Sequence, residues 1–133
     1  MKVERLDHLV LTVRDLDATC DFYRKVLGME VVTFGAGRTA LHFGDQKLNL
    51  HQAGREIDPR AARPTPGSAD LCLISRQPLA RWLEHPRACG VAVEEGPVRR
   101  TGARDPLESI YVRDPDGNLV EIANEPGATQ PSP

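Results

Sequence analysis

The chain repeats itself. Gly28 follows His8 by 20 positions, Gly90 follows Asp70 by 20, and the two stretches superimpose at an offset of 62. An internal repeat narrows the choice of fold more than composition does, because one small unit must be built twice. In the first copy, residues 6–13 alternate like a strand, with His8, Val10 and Thr12 on one face and Leu9, Leu11 and Val13 on the other. Asp15 is placed to cap a helix. Leu16, Cys20, Tyr23 and Leu27 then recur at helical spacing, widened by Phe22 and Val26, and Gly28 stands where a helix C-terminus takes glycine. Residues 29–34, 38–43 and 47–52 read as three short strands separated by Gly-containing turns. The unit is β-α-β-β-β.

The second copy follows a stretch, 53–68, that has three prolines and no periodicity and therefore reads as a linker or lid. Residues 69–75 form a strand. Pro78 suits a helix first turn, Leu79, Trp82 and Leu83 give an apolar face, and Pro86 forces a kink or a short last turn near His85. Residues 91–93 are assigned as a strand and 95–106 as a Gly/Pro/Arg loop. A hairpin closes the unit: 109–113 alternates, AspProAspGlyAsn (114–118) is a turn by chemistry, and 119–124 returns. The expectation is a single α+β domain over 1–124, made of modules at about 5–52 and 69–124. A flexible polar tail covers 125–133.

Bulk properties exclude more than they assign. A net charge of −2, from 17 basic and 19 acidic residues, gives no reason to expect nucleic acid or a membrane surface. With no signal peptide and no long apolar run, the expected location is the cytoplasm. The three cysteines, Cys20, Cys72 and Cys89, form no CxxC pair and read as core packing in a reducing compartment. Among the basic residues Arg far outnumbers Lys. That favours grip on carboxylate or phosphate, and genomic base composition produces the same bias.

Glu121 is the acid that most needs explaining. Its neighbours Val120 and Ile122 point one way along the strand and it points the other. If its face is interior, the charge needs a partner, and a metal ion is one; a salt bridge to Arg113 is the alternative. The repeat makes His8 and Asp70 equivalent, each near the start of its unit's first strand, although Asp70 could equally cap a turn. On the last strand of the first unit the counterpart of Glu121 is Asn49 or His51, which share a face. His51 has three readings: ligand, acid–base group or surface residue. Tyr111 could donate to a substrate oxygen or simply pack. Arg38, Arg99, Arg100 and Arg104 could hold an anion or be solvated loop residues. His42 and His85 are read as structural.

The stretches AspHisLeuValLeuThrVal, PheTyrArgLysValLeuGlyMetGlu and TyrValArgAspProAspGlyAsnLeuValGluIle, with the doubled βαβββ pattern, resemble the vicinal oxygen chelate superfamily. That superfamily includes glyoxalase I, extradiol dioxygenases, fosfomycin-resistance enzymes and bleomycin-binding proteins. GlnLysLeuAsnLeuHis, ProThrProGlySerAlaAspLeuCysLeuIle and GluGlyProValArgArgThrGly resemble more closely the glyoxalase-domain-containing protein 5 group and its bacterial virulence-associated relatives. The resemblance implies a cupped eight-stranded mixed sheet around a divalent ion (Mn, Fe, Ni or Zn). His8, Asp70, Glu121 and His51 or Asn49 would be the ligands, with Asp70 where the family usually has His. It implies lyase or isomerase chemistry on a small substrate bound through vicinal oxygens, with Glu121 or His51 moving the proton. Tyr111, Arg38, Arg100 and Arg104 would contact the substrate, an anionic one. Ring-cleaving oxygenation, thiol transfer to an epoxide and metal-free binding are the alternatives. A homodimer is the expected assembly, with ligands drawn from both subunits by analogy, and a closed monomer with one site is the alternative.

Overall fold

The computed structural model describes residues 1–129, and their contacts cluster into two compact units. The first comprises Met1–Ala69 together with Pro115–Gly117; the second comprises residues 70–114 and those from 118 on. Each contains one copy of the repeat.

In the first unit, β1 (His8–Val13) leads into α1 (Leu16–Leu27), followed by β2 (Glu30–Phe34), β3 (Arg38–Phe43) and β4 (Gln46–Gln52). The sheet order is β1-β4-β3-β2, with β1 parallel to β4 and the other pairs antiparallel. Asp15 caps α1 as its chemistry requires: its side chain accepts from the Ala18 N–H at 3.1 Å. Such a cap stabilises a helix by about 1 kcal/mol. Gly28 ends the helix in the left-handed region, at φ 69°. The buried face of α1 is Thr19, Phe22, Tyr23 and Val26, so Leu16, Cys20 and Leu27, placed on that stripe by spacing, are only half-buried. Phe22 and Tyr23 meet edge to face at 5.2 Å. This face packs with Leu11, Val13, Leu41, Leu48 and Leu50, all buried and all on one side of the sheet by strand parity. Each such residue fully withdrawn from water contributes roughly 1.5–3 kcal/mol.

The second unit runs β5 (Asp70–Ile74), α2 (Leu79–Ala88), β6 (Glu95–Thr101), β7 (Pro106–Arg113), β8 (Leu119–Asn124) and a single turn, α3 (Pro126–Thr129). Its sheet order, β5-β8-β7-β6, repeats that of the first unit, with β5 parallel to β8. The paired βαβββ architecture is thus present, its eight strands hydrogen-bonded as two four-stranded mixed sheets. Pro86 does not break α2. It lies in the last turn, so only two helical residues follow it, and it is buried with Leu79, seven residues earlier on the same face.

The hairpin before β8 differs from expectation. Residues 91–93 form no strand, and the supposed loop 95–106 contains β6 and the start of β7. Gly96 and Pro97 disguised the strand. β6 is an edge strand with a register shift between Glu95 and Val98, the setting that tolerates proline. Gly96 is needed there because a Cβ would lie 2.5 Å from the Ser109 carbonyl oxygen. The cysteines are not core residues either: Cys20 is half-buried, while Cys72 and Cys89 are exposed, on the β5 face away from α2 and at the end of α2. Nor does a free tail begin at Glu125. That residue is buried and gripped by Arg104, and residues 130–133 lie outside those described. Among the described residues, no helix is long and apolar enough to cross a membrane.

Candidate functional site

Each sheet spends one face on its helix. The candidate residues fall on the other face, and each unit carries a different set.

On the first unit, register places His8, Val10 and Thr12 of β1 level with Lys47, Asn49 and His51 of β4. His42 and Ala40 of β3 continue the rows through Lys47 and Asn49. His8 is exposed, and its Nδ1 lies 2.8 Å from the Asp7 carboxylate. That bond also holds the Asp7 carboxyl below the usual carboxylate range. A carboxylate on one ring nitrogen sets the tautomer and presents the other, the usual second partner of a metal-binding imidazole. Asn49 and His51 are both 5% exposed. Asn49 Oδ1 and His51 Nε2 nevertheless have no hydrogen-bond partner. Burying a polar atom without a partner costs on the order of 1–3 kcal/mol, so both positions call for something to bind. Burial, and the Arg38 charge after it, lower the His51 pKa below its ordinary 6.5, which leaves the imidazole neutral at pH 7. Register also separates the two candidates. His8 pairs with Lys47, so Asn49 lies two residues from the His8 level and His51 four. At about 3.3 Å per residue, Asn49 is much the nearer.

On the second unit, Glu121 of β8 lies between Cys72 of β5 and Tyr111 of β7. The Ser109 hydroxyl donates to Glu121 Oε2 at 2.6 Å. Burial, and then the Glu121 carboxylate, push the Cys72 thiol up to about 12, so it stays protonated and non-nucleophilic. Asp70 shares this face, two residues before Cys72, and is exposed. A cleft of about 440 Å³ opens beside Glu121, lined by Cys72, Ile74, Leu107, Arg104 and Glu125 among others.

Three of the second unit's arginines are engaged, and Arg99 lies level with Glu108 across the β6–β7 pair. Arg113 takes Glu94 in a fork, 3.1 Å on each arm, which removes it as a partner for Glu121. Arg104 forks onto Glu125 at 2.7 and 2.8 Å. Arg100 donates to the Tyr111 hydroxyl at 2.9 Å and lies 3.4 Å from Glu95. Burial raises the Tyr111 pKa, and the Arg100 bond opposes it. Among the described residues Glu121 makes no ion pair; hydroxyl and thiol groups surround it. His42 and His85, read as structural, are both exposed, His85 lying edge-on to Trp82 at 5.9 Å. The sequence reading missed three things: Ser109 as the donor to Glu121, Cys72 beside it, and Phe34 beneath Lys47. Only the cross-strand pairing of 109–113 with 119–124 hinted at the first.

By chemistry these donors suit a divalent ion: imidazole, amide oxygen and carboxylate. Among the described residues, however, no group of three or more His, Cys, Asp or Glu side chains gathers to hold one.

A family model, the glyoxalase/bleomycin resistance protein/dioxygenase superfamily, matches residues 5–122. The chain belongs to that superfamily. It is 54% identical over 123 residues to virulence protein STM3117 of Salmonella typhimurium, covering 92% of this chain and 85% of that protein. Among solved structures, it superimposes on an integron cassette protein from the mobile metagenome of V. cholerae with a TM-score of 0.92 at 55% identity. The match covers 93% and 97% of the two chains. It also superimposes on lactoylglutathione lyase from Agrobacterium tumefaciens with a TM-score of 0.71 at 25% identity, covering 92% and 95%. Membership of the superfamily fixes the fold, and a fold does not by itself assign a reaction.

Proposed function

We propose that this chain is a glyoxalase-like, metal-dependent enzyme of the lyase or isomerase type, acting on a small substrate that presents vicinal oxygens. Its likeness to lactoylglutathione lyase supports the reaction class. The observation that carries the reading is Glu121: a half-buried carboxylate with a hydroxyl donor on one oxygen and, among the described residues, no ion pair to balance it. His8, Asp70 and Glu121 would hold the metal. The fourth-strand donor is Asn49 rather than His51, because Asn49 is the nearer to His8 and has an orphaned oxygen. Bound there, a divalent ion supplies Lewis-acid polarisation of a substrate oxygen.

The chain's own groups supply the rest. Asp7 orients the His8 ring. Ser109 fixes one Glu121 oxygen. His51, neutral and with a free Nε2, is suited to accept a proton from a bound substrate at pH 7 and to return it. Tyr111, whose hydroxyl accepts from Arg100, would orient a substrate oxygen. A metal-free binding protein is the competing reading, favoured by the lack of any clustered trio of His, Cys, Asp or Glu among the described residues. The proposed setting is cytoplasmic and the proposed assembly a homodimer.

Elemental analysis of the purified protein, with calorimetric titration of Mn²⁺, Ni²⁺ and Zn²⁺, tests this. His8→Ala and Glu121→Ala should each abolish tight binding. Mixing the two variants should restore part of it if the ligands belong to two copies of the chain, and none if they belong to one. Wild-type affinity in both variants, or a metal-free protein whose melting ignores EDTA, would replace the enzyme with the binding protein.

A further inference from the structure

The first unit carries two cations that no acid claims. Arg38 and Lys47 lie on the same sheet face as Asn49 and His51, and both pack on one ring. Arg38 Cζ is 4.9 Å and Lys47 Nζ 4.2 Å from the Phe34 centroid. Both are half-buried, and among the described residues neither makes an ion pair. The nearby acids are turned to other partners: Asp7 feels the Lys47 charge but bonds His8, Glu56 meets Arg60, and Glu30 pairs in register with His42, at the far end of β2 from Phe34. Two like charges on one ring lie closer together than about 10 Å, the screening distance at 0.1 M salt, so they repel. The ring attracts each of them and relieves the repulsion only in part. An anion between them relieves it fully. On β4 with Lys47, and one strand over from Arg38, sit the buried Asn49 oxygen and the unpartnered His51 nitrogen.

We propose that this face is an anion-binding subsite: Arg38 and Lys47, spread on Phe34, take a carboxylate or phosphate beside the buried Asn49 and His51 side chains. In the second unit Arg100, Arg104 and Arg113 are poor candidates for the same task, because they are already engaged by Tyr111 and Glu95, by Glu125 and by Glu94. The assignment rests on the small-molecule part of the function proposed above, and not on the metal.

The test uses three probes at fixed ionic strength: glycolate, inorganic phosphate and the uncharged glycolamide. Each is titrated calorimetrically into the metal-replete protein and into protein stripped with EDTA. Glycolate and phosphate should bind both forms, and glycolamide should bind neither measurably. Arg38→Gln and Lys47→Gln should each weaken glycolate on the order of tenfold, as expected for loss of a charge-assisted hydrogen bond. Arg38→Lys and Lys47→Arg keep the charge and should retain most of the affinity, which separates lost charge from lost fold. Arg24→Gln, on the far side of α1, should change nothing. The subsite is overturned if glycolamide binds as well as glycolate, if both Gln variants keep full affinity, or if neither anion binds. Failure of the metal reading looks different: anion binding then persists in protein that never takes up metal.

Discussion

The two units use one fold to opposite chemical ends. On the helix side they match: Leu41, Leu48 and Leu50 in the first unit have their counterparts by register in Val112, Val120 and Ile122 in the second, all buried. On the other side they diverge. The first presents two unclaimed cations and two buried polar atoms without partners. The second engages its arginines with acids and a phenol, and leaves its central carboxylate without a cation. Strand geometry permits this, because alternate side chains point to opposite faces, so one face can change while the other keeps the core. Duplication of a βαβββ unit therefore conserves the helix-facing residues for stability and frees the opposite face for function.

The largest expected effect tests the second unit's lone carboxylate. Ser109 is fully buried and its hydroxyl bonds Glu121 at 2.6 Å. Ser109→Ala removes the orienting bond and leaves the ligand itself in place. Loss of such an outer partner typically costs about 10–100-fold in metal affinity. Calorimetry on the variant should therefore show weakened metal binding, less severe than in Glu121→Ala. Unchanged affinity would mean that Glu121 serves the sheet and not an ion, and the contrast between the units would lose its second half.

A smaller effect tests whether the second unit's arginines are committed. Arg104 hydrogen-bonds Glu125 and thereby holds its carboxyl below the ordinary 4.5. A carboxyl lowered in the folded state stabilises fully above the unfolded value, and that contribution disappears as pH falls through the folded value. Melting temperature should accordingly fall as the pH is taken below about 4.5, and the fall should be shallower in Glu125→Gln, which starts lower at pH 7. Identical acid profiles would leave Arg104 free to bind anions, and the anion subsite would have a rival.

Much of the fold was legible because its signals are local. Asp15 and Gly28 mark the ends of α1, and residues 38–43 and 119–124 are strands with the bounds that alternation suggested. β6 was hidden because Gly96 and Pro97 look like a loop, and only the bulged edge pairing with β7 makes them a strand. The site was legible in part. Glu121 stands out as an acid between apolar neighbours. Asn49 and His51 could not be separated, since parity puts both on one face and only the pairing of His8 with Lys47 ranks them. The partners of Arg104 and Arg113 lie 21 and 19 residues away, and Phe34 meets Lys47 across two strands. Such pairings are set by packing and leave no periodic trace.

The smallest effect distinguishes an unpartnered atom that is incidental from one that is functional. Thr19 Oγ1 is buried without a partner, like Asn49 Oδ1, but it points from α1 into the core. Valine has nearly the shape of threonine and removes the unsatisfied hydroxyl. Thr19→Val should therefore be neutral or stabilising by about 1 kcal/mol, a rise of roughly 3–5 °C in melting temperature, with metal and anion binding unchanged. Asn49→Leu removes an orphan atom from the other face. Measured without ligand it should be no less stable than the parent, while the extra stability that metal or glycolate gives the parent is lost. If both substitutions behave alike, gaining stability and keeping binding, Asn49 is as incidental as Thr19. The second face of the first unit is then an ordinary surface. If only Asn49→Leu exchanges binding for stability, that oxygen is held unpaired for a ligand, as expected where stability is given up for function.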